Sequence, residues 1–466
     1  MKIHFLGAAQ SVTGSRHFIE ASDTRLLLDC GLYQERSLRE RNWQPFLIQP
    51  DTLDAVLLSH AHIDHCGLLP KLAREGFKGP IYCTPATADI ARIMLLDSAH
   101  IQEEDAAFKK KRHQREGRQG PYPEIPLYTV EEAERCIDQL APVEYGETLP
   151  VGNGVEAVFH NAGHVFGSSV IDLTVRENGE TKRLLFSGDL GRTGQPILQD
   201  PAIFDRADYV LIESTYGDRL HEGADTIGDE LAQVINSTVE AGGNIIIPSF
   251  ALERSQHLMY YLNKLLLAKR IPRLKVFIDS PMAVRITEVF EKHPELYDKE
   301  LTALMRQGKS PFDFLGLAMV RSVEDSKAIN YIRGSVIIIA GSGMCTGGRI
   351  KHHLANNISR AESTILFVGY QATATLGRHI VDGAKEVRVL GKHYPVRARI
   401  MQINGFSAHA DRDELVRWIS GLKQPPQQVF VVHGETDTAV NFAGFLRQET
   451  GWNIAVPQYR QEFDLT

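Results

Sequence analysis

The stretch Asp54-Ala-Val-Leu-Leu-Ser59-His60-Ala-His62-Ile-Asp64-His65 places three imidazoles and a carboxylate within six residues, at the end of an apolar run. Such a run, bounded by polar residues, reads as a buried strand, and the histidines then fall at its end or in the next loop. On extended chain alternate side chains share a face, so His60 and His62 are expected to point the same way, with Asp64 and His65 turning onward to a second position. Imidazole and carboxylate without thiolate suit zinc or another borderline divalent ion. One tetrahedral ion cannot take all these groups together with more distant ones, so the pattern implies two metals. The plainer alternative, a surface histidine cluster, fits poorly with a position directly after a buried strand.

Two further residues stand where strands end in glycine-bounded loops. His164 lies in Asn161-Ala-Gly-His164-Val-Phe-Gly167, and Asp189 in Phe186-Ser-Gly-Asp189-Leu-Gly-Arg192. Either alone reads as a turn or capping residue rather than a ligand. Beside the histidine cluster they supply a third imidazole and an aspartate able to bridge two ions. Asp29, in Leu26-Leu-Leu-Asp29-Cys-Gly31, is by itself a strand-end aspartate.

Around these residues, the first fifth of the chain alternates short apolar runs with polar turns. A helical period follows over residues 87–115, and strands return near residues 155, 182 and 208. From about residue 225 long amphipathic helices alternate with wholly apolar strands, the signature of a parallel sheet wrapped by helices. After about residue 395 the earlier style resumes, so this second α/β domain reads as inserted.

The 466 residues suffice for two large domains, and the 43% hydrophobic share supports a sizeable core. A net charge of −7 argues against a protein that holds nucleic acid by bulk positive charge, though not against a local basic groove. The five scattered cysteines include no CxxC pair, so neither a disulfide framework nor a thiolate zinc site is expected. With no apolar leader at the N-terminus and no run long enough to span a bilayer, a soluble, cytoplasmic protein without membrane partners is expected.

The order of HxHxDH, the later Gly-His and the Ser-Gly-Asp aspartate resembles the metallo-β-lactamase superfamily. The resemblance implies that His60, His62 and His164 hold one zinc, that Asp64, His65 and His433 complete a second, and that Asp189 bridges them. Asp29 would orient a ligand from behind. The inserted domain, following Ile212-Glu213-Ser-Thr-Tyr-Gly-Asp218, resembles the β-CASP branch, whose substrates are nucleic acids. Glu213 matches that branch's motif A, His409 in Gly405-Phe-Ser-Ala-His409-Ala-Asp411 motif B, and His433 in Val431-Val-His433-Gly-Glu435 motif C. The expected fold is therefore α/β: a metallo-β-lactamase αββα sandwich over residues 1–209 and 395–466, with a mainly parallel β-CASP domain inserted at 210–394.

A histidine at motif C is similar to the RNA-acting members, whereas DNA-repair members carry an aliphatic residue there. The resemblance thus implies a ribonuclease, cutting single-stranded RNA with two Zn2+ per chain. A hydroxide bridging the metals would attack, with Asp64 and Asp189 in the catalytic set, His409 as general acid and Glu213 orienting it, leaving 5′-phosphate and 3′-hydroxyl ends. The alternatives are a β-CASP DNA-processing nuclease and a catalytically silent subunit of an RNA-processing complex. Since the chain starts at the first strand and ends soon after His433, the KH domains and C-terminal domains of some relatives are expected to be absent. Relatives include monomers and dimers, which leaves a homodimer open.

Gly341-Ser-Gly-Met-Cys-Thr-Gly-Gly348 follows an apolar strand and precedes a helix-like segment. It reads either as a tight turn or as an anion cradle, and it lacks the GKS/T of a nucleotide-binding loop. By resemblance, Ser342, Gly343, Thr346 and Gly347 become candidates for RNA phosphate. His379 reads as structural. Lys109-Lys-Lys-Arg112, with Arg115 and Arg118, is either a solvated helix end or a phosphate-tracking rim.

Overall fold

The computed structural model describes residues 1–119, 123–221 and 226–465. The chain divides into two compact units: Met1–Gln195 with Gln199–Leu220 and His409–Thr466, and Pro196–Leu198 with His221–Ala408.

The first unit is built on two seven-stranded sheets. One runs, in space, Glu462–Asp464, Lys2–Phe5, His17–Ala21, Thr24–Leu28, Ala55–Leu57, Ile81–Cys83, Leu140–Pro142. The other runs Ile454–Ala455, Gln428–Val432, Tyr209–Glu213, Glu180–Phe186, Ser169–Glu177, Val155–Asn161, Thr148–Gly152. Strand periodicity explains the layering. Leu184, Phe186, Tyr209 and Leu211 face a core that also holds Ile3, Phe5, Leu26, Leu28 and Leu57 of the first sheet. The alternate residues Leu185, Val210 and Ile212 face the other way, onto Leu415, Trp418 and Ile419 of the helix Arg412–Ile419 and Phe442, Ala443 and Leu446 of the helix Thr436–Thr450. The segment read as helical over 87–115 is a helix from Pro85 to Glu116, started by Thr84, whose hydroxyl accepts the Thr87 N–H.

The second unit holds a six-stranded sheet, all parallel, in the order Leu317–Met319, Lys275–Asp279, Val336–Ala340, Ile245–Pro248, Thr364–Phe367, Arg399–Gln402. Its central strands are buried on both faces, which is why they read as unbroken isoleucine runs rather than alternating patterns.

The structure divides the chain at 220/221 and 408/409, whereas the sequence places the borders after 209 and 394. Arg399–Gln402 accounts for the later border: it pairs in parallel with Thr364–Phe367 as the edge of the six-stranded sheet. Its Arg-Ile-Met-Gln sequence is exposed at both ends and half-buried between, so it lacks the unbroken apolar run of the central strands and reads like the shorter strands of the first unit. All five cysteines are buried and free, and among the described residues no helix is long and apolar enough to cross a membrane.

Candidate metal centre

In the first unit the strands Thr24–Leu28 and Ala55–Leu57 run parallel, as do Glu180–Phe186, Tyr209–Glu213 and Gln428–Val432. Their carboxyl ends carry, respectively, Asp29, Ser59-His60, Asp189, Glu213 and His433, while His164 follows Val155–Asn161. Asp29 (φ 58°) and His433 (φ 52°) both turn in the left-handed region. Asp and His visit it more readily than most residues, and strained backbone of this kind collects at functional sites.

His60, His62, His164 and Asp189 converge into one group able to hold a metal ion. Nδ1 of His62 lies 3.0 Å from Nε2 of His60 and 3.3 Å from Nε2 of His164. Asp189 Oδ2 lies 3.6 Å from the His60 nitrogen and 3.5 Å from the His164 nitrogen. Four donors at the corners of a tetrahedron around zinc stand about 3.3 Å apart, given zinc–ligand bonds near 2.0–2.1 Å, so the spacing fits such an ion. Burial pushes His60 and His164 well below the usual imidazole range and His62 down to about 4, aided by neighbouring imidazoles. They are therefore neutral and ready to ligate.

His60 and His62 do not share a strand face, as alternation would have it. The strand ends at Leu57, and His62 is the residue preceding the short helix Ile63–Cys66, which carries Asp64 and His65. The loop thus brings His62 in by Nδ1 and His60 by Nε2. Asp64 and His65 of this helix form a second group with His433, with 3.0 Å between the Nε2 atoms of His65 and His433 and 3.7 Å from His433 Nε2 to Asp64 Oδ2. Asp189 reaches this group through Oδ1, 3.4 Å from His65 Nε2 and 3.3 Å from His433 Nδ1. That oxygen is buried without a hydrogen-bond partner, as is Nδ1 of His164. A buried carboxylate oxygen lacking a donor is costly, and a cation between the groups would satisfy it.

Asp29 stands behind the second group. Its Oδ2 meets Nδ1 of His65 at 2.7 Å and accepts the hydroxyls of Ser15 and Ser59, both at 3.0 Å, while Oδ1 accepts the Ser59 N–H at 2.8 Å. The pairing leaves Nε2 of His65 facing the centre, the usual carboxylate–histidine arrangement behind a metal. Gly31 makes it sterically feasible, because a Cβ there would sit 1.6 Å from the carbonyl oxygen of Asp64. Burial opposes a charge on His65, but Asp189 and Asp29 overcome it and raise the group well above its ordinary value.

His409 approaches from the other side, its ring centroid 4.4 Å from that of His164 and Nδ1 3.1 Å from Glu213 Oε1. Burial pulls its pKa down, yet the carboxylates, Glu213 foremost, raise it to about 9. Sequence reasoning passed over three supporting residues: Ser15, Ser59 and Thr215, whose hydroxyl lies 3.2 Å from Nδ1 of His433. Hydroxyl residues in loops are too common to carry a signal of their own.

The glycine loop 341–348 lies in the second unit, before the helix Ile350–Asn357. The N–H groups of Thr346 and Gly347 donate to the Ser342 hydroxyl at 3.0 and 3.2 Å, so the loop fills its own cradle instead of leaving these donors bare. His379 is exposed on the helix Leu376–Val381, not a packed core histidine. Lys109, Lys110 and Lys111 are exposed on the long helix, and Arg112 and Arg118 pair with Glu116.

Comparison with known proteins finds three family domains along the chain. Residues 18–209 match the metallo-beta-lactamase superfamily domain, residues 255–380 the Beta-Casp domain, and residues 393–457 the Zn-dependent metallo-hydrolase RNA specificity domain. The chain is similar to Ribonuclease TTHA0252 of Thermus thermophilus, 40% identical over 437 residues and 94% of each chain. It is also similar to transcription termination factor FttA of Methanocaldococcus jannaschii, 32% identical over 96% of this chain and 69% of that one. A crystal structure of a protein of unknown function from Enterococcus faecalis shares the fold, with a TM-score of 0.58 at 11% identity over 99% of both chains. With a relative this similar along nearly its whole length, and with the three domain matches in sequence order, the chain belongs to the β-CASP branch of the metallo-β-lactamase superfamily, a group of metal-dependent nucleases.

Proposed function

We propose that the chain is a zinc-dependent ribonuclease that hydrolyses phosphodiester bonds of single-stranded RNA and leaves 5′-phosphate and 3′-hydroxyl ends. The observation that carries this reading is the position of Asp189, with one oxygen facing each of two metal-sized groups of donors.

His60, His62, His164 and Asp189 would hold one Zn2+, and Asp64, His65, His433 and Asp189 a second. Bound there, two divalent ions supply the positive charge that acidifies an attacking water and neutralises the phosphoryl oxygens. The chain's own contribution is to fix the ligands and to manage protons. Asp29 holds His65 by Nδ1, and Thr215 lies against Nδ1 of His433. Glu213 keeps His409 protonated and its Nδ1 occupied, so Nε2 is the position from which a proton can pass to the leaving 3′-oxygen. The imidazole is 21% exposed, enough for a substrate to reach it.

The test uses the purified protein with end-labelled single-stranded RNA and DNA of one sequence, with and without chelator. Expected is chelator-sensitive cleavage of RNA alone, with products bearing 5′-phosphates, and two zinc ions per chain by elemental analysis. Preferential cutting of DNA would support the DNA-processing alternative. Binding of RNA without cleavage, with metal present, would support a silent subunit.

A further inference from the structure

The parallel sheet of the second unit has a topological switch point. From Ile245–Pro248 the chain passes through the helix Arg254–Leu267 and crosses Val336–Ala340 to reach Lys275–Asp279. From Val336–Ala340 it passes through the helix Ile350–Asn357 and crosses the opposite way to Thr364–Phe367. Right-handed crossovers in opposite directions put these two helices on opposite faces. Ile350 and Leu354 accordingly share a cluster with Ile246 and Ile338, which no residue of Arg254–Leu267 joins. The crevice beyond the carboxyl ends of two such neighbouring strands is where open α/β sheets bind ligands.

What lines this crevice is aromatic. Phe250 stands two residues beyond Pro248, and Gly343 three beyond Ala340. A Cβ on Gly343 would come within 2.7 Å of the Phe250 ring, so only glycine lets the ring lie against the loop backbone. The ring is nonetheless 45% exposed. It is also firmly presented: the Phe250 carbonyl accepts the hydroxyls of Ser249 and Ser255 at 3.1 and 2.7 Å. On the other side, Gln371 Nε2 donates to the Gly343 carbonyl at 3.0 Å, and the adjoining Tyr370 is 53% exposed. Arg254 reaches the same strand end, donating to the Val368 carbonyl. Exposed aromatic rings at strand ends that also carry a guanidinium suit a flat π ligand near a phosphate.

We propose that Phe250 and Tyr370 form a stacking platform for the bases of unpaired RNA. The platform rests on the ribonuclease reading above and gives it a source of single-strand preference. Every base offers a π face, so stacking tolerates any sequence, but bases within a duplex are not free to leave their neighbours.

The experiment measures binding of an unstructured oligoribonucleotide carrying 2-aminopurine, in a His409→Ala background that prevents cleavage. Quenched fluorescence on binding is expected. Phe250→Leu keeps an apolar contact with Gly343 but no π face, and should weaken binding about tenfold and relieve the quench. Phe250→Tyr should preserve both. Tyr370→Leu, at a half-exposed position, should weaken binding severalfold and serves as the test if Phe250→Leu does not fold. If both leucine variants bind and quench like the parent, the platform is wrong, while cleavage of RNA by the wild-type chain would leave the ribonuclease reading standing. If the wild-type chain neither binds nor cuts RNA, both fall together.

Discussion

Glu213 holds His409 by a single hydrogen bond of 3.1 Å between Oε1 and Nδ1, and that same oxygen accepts the Leu190 N–H at 2.7 Å. Its other oxygen accepts the Thr215 N–H at 3.1 Å, so the carboxylate is fully buried and cannot swing away from the imidazole. A strand end, a loop and a residue nearly two hundred positions later are thereby locked together.

The first prediction separates proton transfer from metal binding. His409→Ala should lower kcat by about 10²–10⁴-fold, the usual worth of a positioned acid, while zinc content stays at the wild-type level. Loss of zinc in this variant would instead make His409 a ligand.

Glu213→Gln tests the electrostatic half of the pair. An acid must carry its proton, so activity should decline as pH rises through the pKa of His409, which its carboxylate neighbours raise to about 9 against the pull of burial. Removing the Glu213 charge lowers that pKa, and the alkaline limb of the pH–kcat profile should move to lower pH. An unmoved limb with reduced kcat would leave Glu213 a purely structural role.

Asp189 and Asp29 should differ in kind. Asp189→Ala removes a donor from both groups, so metal content and activity should fall together by more than about a hundredfold. Asp29→Asn removes only the partner of His65, and should weaken metal affinity about 10–100-fold while added zinc restores cleavage. Retention of two zincs by Asp189→Ala, read by elemental analysis, would refute the bridging position.

Much of this centre was legible because metal ligands are rare residue types crowded at strand ends. His60, His62, Asp64 and His65 announce themselves by spacing, whereas Asp189 becomes a candidate only beside that cluster and through the family's order of motifs. The supports were not legible: Ser15, Ser59 and Thr215 are ordinary loop hydroxyls until the fold sets them against Asp29 and His433. The two layers were implied by the family resemblance alone: Tyr209–Glu213 reads as an unbroken apolar run, and only the fold shows Leu211 facing one side and Val210 and Ile212 the other. Near residue 395 the sequence reading follows the change of pattern at which the RNA specificity domain match begins, at residue 393, whereas the compact units divide at 408/409. Cross-strand pairing, not composition, assigns Arg399–Gln402.

The basic run on the long helix should prove to be a solvated face. Lys109, Lys110 and Lys111 are exposed, and their arginine neighbours Arg112 and Arg118 already pair with Glu116. Neutralising the three lysines should leave the salt dependence of RNA binding unchanged. For single strands, every phosphate that a lysine neutralises adds about 0.7 to the steepness of log K against log salt. A slope shallower by about 2 in the triple variant would establish the rim instead.

The last prediction concerns acid stability of the second unit. Asp279 is fully buried, with Oδ1 2.7 Å from an Arg349 nitrogen and Oδ2 2.6 Å from both His353 Nε2 and the Ser326 hydroxyl. Burial alone would raise its pKa, but these partners overcome it and hold the carboxyl below its ordinary value. A depressed folded-state pKa contributes stability that is complete above the unfolded value of about 3.9 and is lost as pH falls through the folded one. Asp279→Asn removes the charge while leaving Arg349 and His353 facing it, and breaking a buried pair in this way costs about 3–5 kcal/mol. Urea unfolding should therefore show a deficit of that order that is constant from pH 7 to about pH 4 and shrinks only below it, as the unfolded carboxyl and then the folded one take up a proton. A deficit that stays constant below about pH 4 as well would show that packing, not charge, is what Asp279 contributes.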